Sequence, residues 1–150
     1  MADPLKYIGL ARKARAIELG ETNSGAAVRG GRAKLLILAS DASDNARKRA
    51  ESFVFGRKTK LIVLPYTKYE LSSIAGQHGC SMAAFTDTGL SAAFLEKLAE
   101  NDASYAQDAD IVKRKYENIL QRRKEASASE KNKKFGKTAH SGASEKRRKN

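Results

Sequence analysis

The sequence lacks the residues from which disulfides, metal cages and membrane spans are built. Cys80 is its one cysteine, it has two histidines, and it has no tryptophan. One cysteine excludes an internal disulfide and a cysteine-based metal cage. His78 and His140 lie too far apart in sequence to suggest a shared metal site. No apolar run approaches the length of a bilayer span, and Met1 to Lys6 lack the apolar run of a secretion signal. We therefore expect a cytoplasmic protein with no cofactor and no membrane partner.

Positive charge is what the chain has in excess. It carries 29 Lys and Arg against 17 Asp and Glu, a formal net charge of +12. Such a charge favours a polyanionic partner, because each neutralised phosphate releases condensed counterions. A surface kept soluble by like charge has the same composition. Charge alone does not separate the two interpretations.

The chain divides into two regions of different composition. Residues 1–100 hold 15 basic and 10 acidic residues, whereas residues 101–150 hold 14 and 7 in half the length. Apolar runs recur up to Leu98, and beyond Leu120 the apolar residues are almost all alanine. Such a segment buries too little surface to offset its ordering entropy. The sequence predicts a domain over 1–100 and, over 101–150, a basic tail that is partly helical and then disordered when free.

Helix and strand signals alternate within the first hundred residues. Asp3 and Pro4 are typical of a helix start, and the Gly30–Gly31 pair is typical of a helix end. The apolar runs at 35–39 and 61–64 are typical of strands buried on both faces. The predicted helices span 4–15, 21–29, 43–55, 68–75 and 88–99, and the predicted strands span 16–19, 35–39, 61–64 and 82–86. This order predicts an α/β fold, a three-layer α/β/α sandwich with a mixed sheet of about four strands, followed by the basic C-terminal extension.

No cluster of residues points to catalysis. The glycine-rich stretch 30–34 precedes a strand, whereas a phosphate-binding P-loop follows one. His78 and Cys80 are two residues apart and have no partner to orient them, so a loop cysteine is favoured over a nucleophile. Asp41 and Asp44 follow a strand, but the pattern around them favours helix capping over a metal or catalytic site. We expect the protein not to be an enzyme.

Several separate patterns, in the right order, resemble those of a known family. They are Ile8–Ala14, Leu19–Glu21, Ala27–Arg29, Ala33–Ser43, Thr67–Leu71 and Ile74–Gly76. Together they resemble the kink-turn-binding ribosomal protein superfamily, which includes archaeal and eukaryotic large-subunit proteins and a spliceosomal protein, and most of all its bacterial YlxQ-like branch. The resemblance covers residues 5–98.

The resemblance implies a mixed sheet between helices and recognition of bent RNA that contains tandem sheared G·A pairs. In the family, the turn after the first strand and the start of the second helix approach these pairs, and a later loop packs against an extruded nucleotide. The matching residues of the turn and helix are Gly20, Glu21, Thr22, Asn23, Ala26 and Arg29. The matching residues of the loop are Gln77, His78, Gly79 and Cys80, with Ser81.

The chemistry of the turn agrees with that role. Gly20 lets the backbone approach a ligand closely, and free N–H groups at a helix start suit a phosphate or a base acceptor. Thr22 and Asn23 offer short polar groups for base edges, and Glu21 can accept from a guanine amino group. As an alternative, these are ordinary helix-start residues. Basic residues clustered in sequence around the turn are predicted to contact the flanking phosphates: Arg12, Lys13, Arg15, Arg29, Arg32 and Lys34.

The sequence differs from the family at four positions. Thr22, Asn23 and Ala26 stand where members usually carry Asn, Glu and Lys, and Ser72 replaces a usual glycine. Loss of the lysine removes a phosphate contact, and Asn in place of Glu is a mixed donor and acceptor.

Three functions follow from these observations. In the first, the domain binds a structured RNA as a monomer, with ribosomal RNA or the ribosome as the expected partner. Basic runs at 131–134 and 146–149 then add nonspecific phosphate contacts. In the second, the protein is a general nucleic-acid binder of the nucleoid type, driven by the tail. In the third, it presents RNA to a catalytic partner as a subunit of an RNA-modifying enzyme.

Overall fold

A computed structural model of the chain describes residues 3–139, with side chains described through residue 130. Its elements in chain order are α1 (Leu5–Lys13), β1 (Ile17–Leu19), α2 (Glu21–Arg29), β2 (Leu35–Leu38), α3 (Asp44–Val54), β3 (Lys60–Val63), α4 (Lys68–Ala75), β4 (Met82–Phe85), α5 (Thr88–Asn101), a 3₁₀ turn (Ala103–Tyr105) and α6 (Ala106–Ala139).

The four strands form one mixed sheet in the order β1-β4-β2-β3. Strand β4 runs antiparallel to both β1 and β2, and β2 runs parallel to β3. The carboxyl ends of β1, β2 and β3 therefore meet at one end of the sheet, together with the start of β4. Helices α2 and α3 pack against each other and on the sheet, while α1 and α5 pack against each other, α1 also on β1 and α5 also on β4. The expected α/β sandwich with a mixed four-stranded sheet is confirmed.

Local signals set the ends of the helices. Ser43 caps α3 by accepting from the Ala46 N–H at 3.1 Å. Thr67 and Glu70 form a reciprocal capping box at the start of α4, which satisfies two backbone donors. Gly76 ends α4 in the left-handed conformation, which glycine adopts without strain. The predicted bounds of α2 and α4 are confirmed to the residue.

The centre of the sheet holds the core. All of β2 and β4 is buried, and the rings of Phe85 and Phe94 lie 5.2 Å apart between β4 and α5. The prediction that the run 61–64 is buried on both faces is wrong at Val63, which is 39 % exposed. Strand β3 lies at the edge of the sheet, so one of its sides has no neighbouring strand.

The packed region extends past the predicted domain boundary at residue 100. Ala109 and Val112 are buried, and the Tyr105 hydroxyl donates to the Val63 carbonyl at 2.7 Å. A first compact unit ends at Arg114 and a second begins at Lys115.

The basic tail falls largely within the second unit. Helix α6 continues to Ala139, over a stretch for which composition predicts disorder, and its Ala, Lys, Glu and Arg have high helix propensity. Side chains 121–130 are all exposed, so they gain no packing stabilisation. Disorder of the free tail stays a prediction, and the basic run 146–149 lies outside the described residues. In the part of the chain that the structure describes, no helix is both long enough and apolar enough for a membrane span.

Candidate nucleic-acid interface

Four connections lie at the end of the sheet where β1, β2 and β3 finish. They are the β1–α2 turn, the β2–α3 connection, the β3–α4 connection and the α4–β4 loop. Ligands of α/β sheets commonly bind at the carboxyl ends of the strands. We call this surface the turn interface, and it consists of Gly20–Asn23, Ser43–Arg49 and Gln77–Ser81.

Gly20 joins two of these connections. Its φ of 90° and ψ of 164° lie in a region that only glycine adopts readily. Its N–H donates to the Met82 carbonyl at 2.8 Å, and its carbonyl accepts from Ser24 at 2.9 Å. A Cβ at this position would lie 3.8 Å from Oε1 of Gln77. The turn and the α4–β4 loop are therefore neighbours, as the resemblance implies.

The start of α2 is open. No side chain caps it, so the N–H groups of its first turn have no capping partner. Thr22 and Asn23 are exposed. The side-chain N–H of Asn23 donates to the Leu19 carbonyl at 3.0 Å, so the side-chain oxygen of Asn23 points away from that carbonyl. Open donors at the positive end of a helix form a site for an anion or a base acceptor.

A cleft of about 510 Å³ lies beside this helix start. Its lining residues come from α2, from α3 with its N-cap, and from the residue just before β4: Glu21, Ser43, Asn45, Ala46, Lys48, Arg49 and Ser81. Nη1 of Arg49 lies 3.3 Å from Oε2 of Glu21, with the two side chains 63 % and 32 % exposed. Such an exposed pair contributes only about 0–1 kcal/mol. The Arg49 guanidinium can therefore turn to a phosphate at little cost.

Asn45, Lys48 and Arg49 were not among the residues predicted for the site. They lie two, five and six residues after the Ser43 cap, within the first two turns of α3, and no local pattern marks them as part of a site. Strand β2 ends at the same end of the sheet as β1, so its following helix starts beside α2. Finding these residues required the strand order as well as the helix assignment.

The α4–β4 loop presents some of its predicted residues and hides one. Gln77, His78 and Gly79 are exposed. Cys80 is only 3 % exposed, and its Sγ lies 3.4 Å from the Met82 carbonyl, so its side chain does not face a ligand as predicted. Ser72 accepts from the Cys80 N–H at 2.8 Å and donates to its carbonyl at 3.3 Å. Ser72 therefore fixes the loop by bonding to both backbone groups of Cys80.

We expect Cys80 to resist alkylation in the folded protein. Burial raises the pKa of its thiol above the ordinary 9.0, so the reactive thiolate is scarce near neutral pH and forms only as the pH rises further. Iodoacetamide labelling followed by mass spectrometry should show slow reaction at about pH 8, and fast reaction once guanidinium chloride unfolds the chain. Equal rates in the two conditions would contradict this placement.

The basic residues predicted around the turn do not form one group. Nη1 of Arg12 donates to the Ala75 carbonyl at 3.0 Å and lies against Gly76, so Arg12 ties α1 to the end of α4 near Gln77. Lys13 is exposed at the end of α1. Arg12 is exposed, and its hydrogen bond to Ala75 supports the end of α4 from which the loop begins.

Arg29, Arg32 and Lys34 lie away from Gly20, as does Arg15. Nine residues of α2 separate its open start from Arg29, a distance of about 13 Å. Arg32 pairs with Glu18 at 3.0 Å, and Lys34 precedes the first residue of β2, at the opposite end of the sheet. The prediction that these residues surround the turn is wrong, because α2 carries the chain from one end of the sheet to the other. Residues that are close to Gly20 in sequence are therefore distant from it in space.

A second cleft, of about 500 Å³, lies between α4 and the same loop. Its lining residues are Lys68, Tyr69, Ser72, Ser73, Gly76, Gln77, His78 and Gly79. Tyr69 is 81 % exposed and offers an aromatic face, and Lys68 lines the same cleft. The turn interface thus has an aromatic platform at its border.

Asp41, one of the two carboxylates after β2, has a structural partner. Asp41 accepts from the Lys68 N–H at 2.7 Å, at the start of α4, and the cap of α3 is Ser43 rather than Asp44. Within residues 3–139 no group of three or more His, Cys, Asp or Glu is placed to hold a metal ion.

Solved structures of other proteins share this fold. A protein of unknown function from Bacillus halodurans C is 29 % identical over 67 % of this chain and 96 % of its own, with a TM-score of 0.57. A 15.5 kD RNA-binding protein from Giardia lamblia is 18 % identical over 66 % of this chain and 84 % of its own, with a TM-score of 0.53, a likeness that shows the fold alone. No protein-family profile and no curated protein match the sequence.

Proposed function

We propose that the protein binds structured RNA through the turn interface and that its target is a bent, kink-turn-like element. One observation carries the proposal: the uncapped start of α2 opens beside a cleft lined by Lys48 and Arg49. The RNA-binding protein from Giardia lamblia, which has the same fold, supports RNA as the ligand class.

The residues have separate roles in this proposal. The first-turn N–H groups of α2, with Thr22 and Asn23, face the base edges of the bend, where hydrogen bonds carry specificity. Lys48 and Arg49 bind the flanking phosphates. The exposed Gln77–Gly79 loop packs against a nucleotide outside the stack, because it borders Gly20 directly.

Helix α3 compensates for the missing lysine of α2. Ala26 is exposed and contributes no charge, but Lys48 and Arg49 line the cleft that begins at Glu21. A phosphate bound in this cleft meets two cations from the neighbouring helix. Bent-RNA binding in this chain therefore relies on α3.

We further propose that the protein acts in the cytoplasm as a monomeric RNA-binding protein, not as an enzyme, with ribosomal RNA as its target. Ultraviolet crosslinking in cells, followed by sequencing of the bound fragments, tests this. We expect a few discrete sites in ribosomal RNA at predicted bends. Uniform coverage of messenger RNA would contradict it.

The charge of the tail supports a second candidate, a general nucleic-acid binder, since 14 of its 50 residues are basic. Deleting residues 126–150, with folding checked by circular dichroism, separates the two. We expect the deletion to weaken binding to every RNA about equally and to preserve the preference for bent over straight RNA. If all RNA binding disappears with the tail, the general binder is correct.

A further inference from the structure

The end of the sheet opposite to the turn interface carries a second concentration of positive charge. Two segments, 29–34 and 57–60, contribute six basic residues and no acidic one: Arg29, Arg32, Lys34, Arg57, Lys58 and Lys60. All except the partly buried Lys60 are exposed. We call these six residues the basic face.

Hydrogen bonds hold the two segments side by side. Nη1 of Arg57 donates to the Val28 carbonyl at 3.1 Å, at the end of α2. The Thr59 hydroxyl donates to the Ala33 carbonyl at 3.3 Å, and Lys60 is the register partner of Leu35 across the parallel pair. The basic face is therefore one surface and not two separate patches.

Acidic neighbours neutralise only part of this charge. Glu18 of β1 pairs with Arg32 at 3.0 Å, and Asp108 of α6 lies 3.9 Å from the Lys60 ammonium group. Asp87, at the same end of the sheet, is engaged as the cap of α5. The face keeps a net positive charge, which suits a polyanion.

An exposed aromatic ring accompanies these cations. Phe55 is 87 % exposed, the most of any large apolar side chain in the described part of the chain, and stands two residues before Arg57. Its neighbour Phe53 shows the contrast: that ring packs against Gly25 and lies 5.7 Å below the Arg29 guanidinium. Phe55 thus contributes nothing to the core, while its ring is free to stack.

We propose that the basic face with Phe55 is a second RNA-binding surface, which takes a single-stranded segment by stacking one base on the Phe55 ring and binding its phosphates with the basic side chains. Aromatic platforms amid cations are the usual means of binding single strands, because every base has a π-face. The strands place this surface about 13 Å from the turn interface, so one folded RNA can reach both. The surface binds single strands whether or not the turn interface binds bent RNA.

The test begins with Phe55, whose exposure makes its replacement harmless to the core. Full-length protein is titrated into a short single-stranded RNA that carries 2-aminopurine, whose fluorescence changes when the base stacks. Phe55→Tyr should bind and quench like the wild type, and Phe55→Leu should lose the quenching and bind about tenfold more weakly. Unchanged binding and quenching in Phe55→Leu would overturn the stacking.

The cations are tested by a charge-matched pair of variants. Arg32→Gln with Lys34→Gln removes two charges from the basic face, and Lys6→Gln with Lys97→Gln removes two from α1 and α5. The first variant should weaken single-strand binding on the order of tenfold and lower the salt slope by about 2, because two phosphate contacts are lost. Equal effects of both variants would show a general charge effect only and overturn the proposal.

The same proteins are measured on a bent RNA in parallel. We expect Phe55→Leu to leave that affinity unchanged, since the ring is remote from Gly20. If wild-type protein shows no preference for bent RNA, the proposed function fails, and the single-strand measurements still decide this second surface.

Discussion

Replacing Lys48 and Arg49 together by glutamine is expected to lower the affinity for a bent RNA by roughly 10- to 100-fold. Both side chains line the cleft beside the open start of α2, and they are exposed, so the fold does not depend on them. Breaking the Arg49–Glu21 pair costs about 0–1 kcal/mol of stability. The loss should therefore appear in binding and not in unfolding.

The measurement is fluorescence anisotropy with a labelled kink-turn RNA, repeated over a range of salt. Two lost phosphate contacts should lower the slope of log K against log salt by about 2. Lys6→Gln with Lys97→Gln is the matched control, because it removes the same charge from α1 and α5, outside the turn interface. An affinity loss no larger than that of the control would show that α3 takes no part in the site.

Replacing Gly20 by alanine is expected to damage both the fold and the site. The backbone at φ 90° and ψ 164° costs about 1–3 kcal/mol for any residue with a Cβ. A shift that relieves this strain moves the start of α2 and its contact with Gln77. Urea unfolding should show the stability loss, and bent-RNA affinity should fall on the order of tenfold in the fraction that remains folded.

Gly31→Ala separates the two effects. Gly31 has a φ of 73° and open space around it, so alanine costs about 1–2 kcal/mol there without moving α2. We expect a comparable loss of stability and an unchanged affinity for bent RNA. If both variants bind bent RNA equally well, Gly20 has a structural role alone.

The fold followed from the sequence because local and global signals agreed. Gly30 ends α2 and Gly76 ends α4, each at the predicted residue, and the apolar run from Leu35 forms the buried strand β2. Each depends on backbone chemistry or on a run of apolar residues, which a sequence shows directly. Val63 differed because burial on both faces depends on strand order, and β3 is an edge strand.

The candidate site was less accessible to sequence reasoning. Gly20 and Gln77 are 57 positions apart, and the resemblance alone placed them together before the structure did. Cys80 was misplaced because its neighbours are polar, while its own side chain turns inward toward Met82. Arg32 was placed near Gly20 because the two are only 12 positions apart in sequence. Helix α2 lies between the two residues and carries Arg32 to the other end of the sheet.

Lys48 and Arg49 show why part of the site could not be predicted from the sequence. In the sequence they belong to a charged helix face, and such a face is usually exposed to solvent without binding a ligand. The cleft beside Glu21 exists because β2 and β1 end at the same end of the sheet. That arrangement is a property of the topology, and no local pattern reports it.

The most direct test of the turn interface is to record amide chemical shifts of the isotope-labelled protein while a kink-turn RNA is titrated in. The largest shifts are predicted at Glu21–Asn23 and Gln77–Gly79, with smaller ones along the cleft-facing side of α3. Shifts confined to residues beyond 115, with the start of α2 unmoved, would contradict the account.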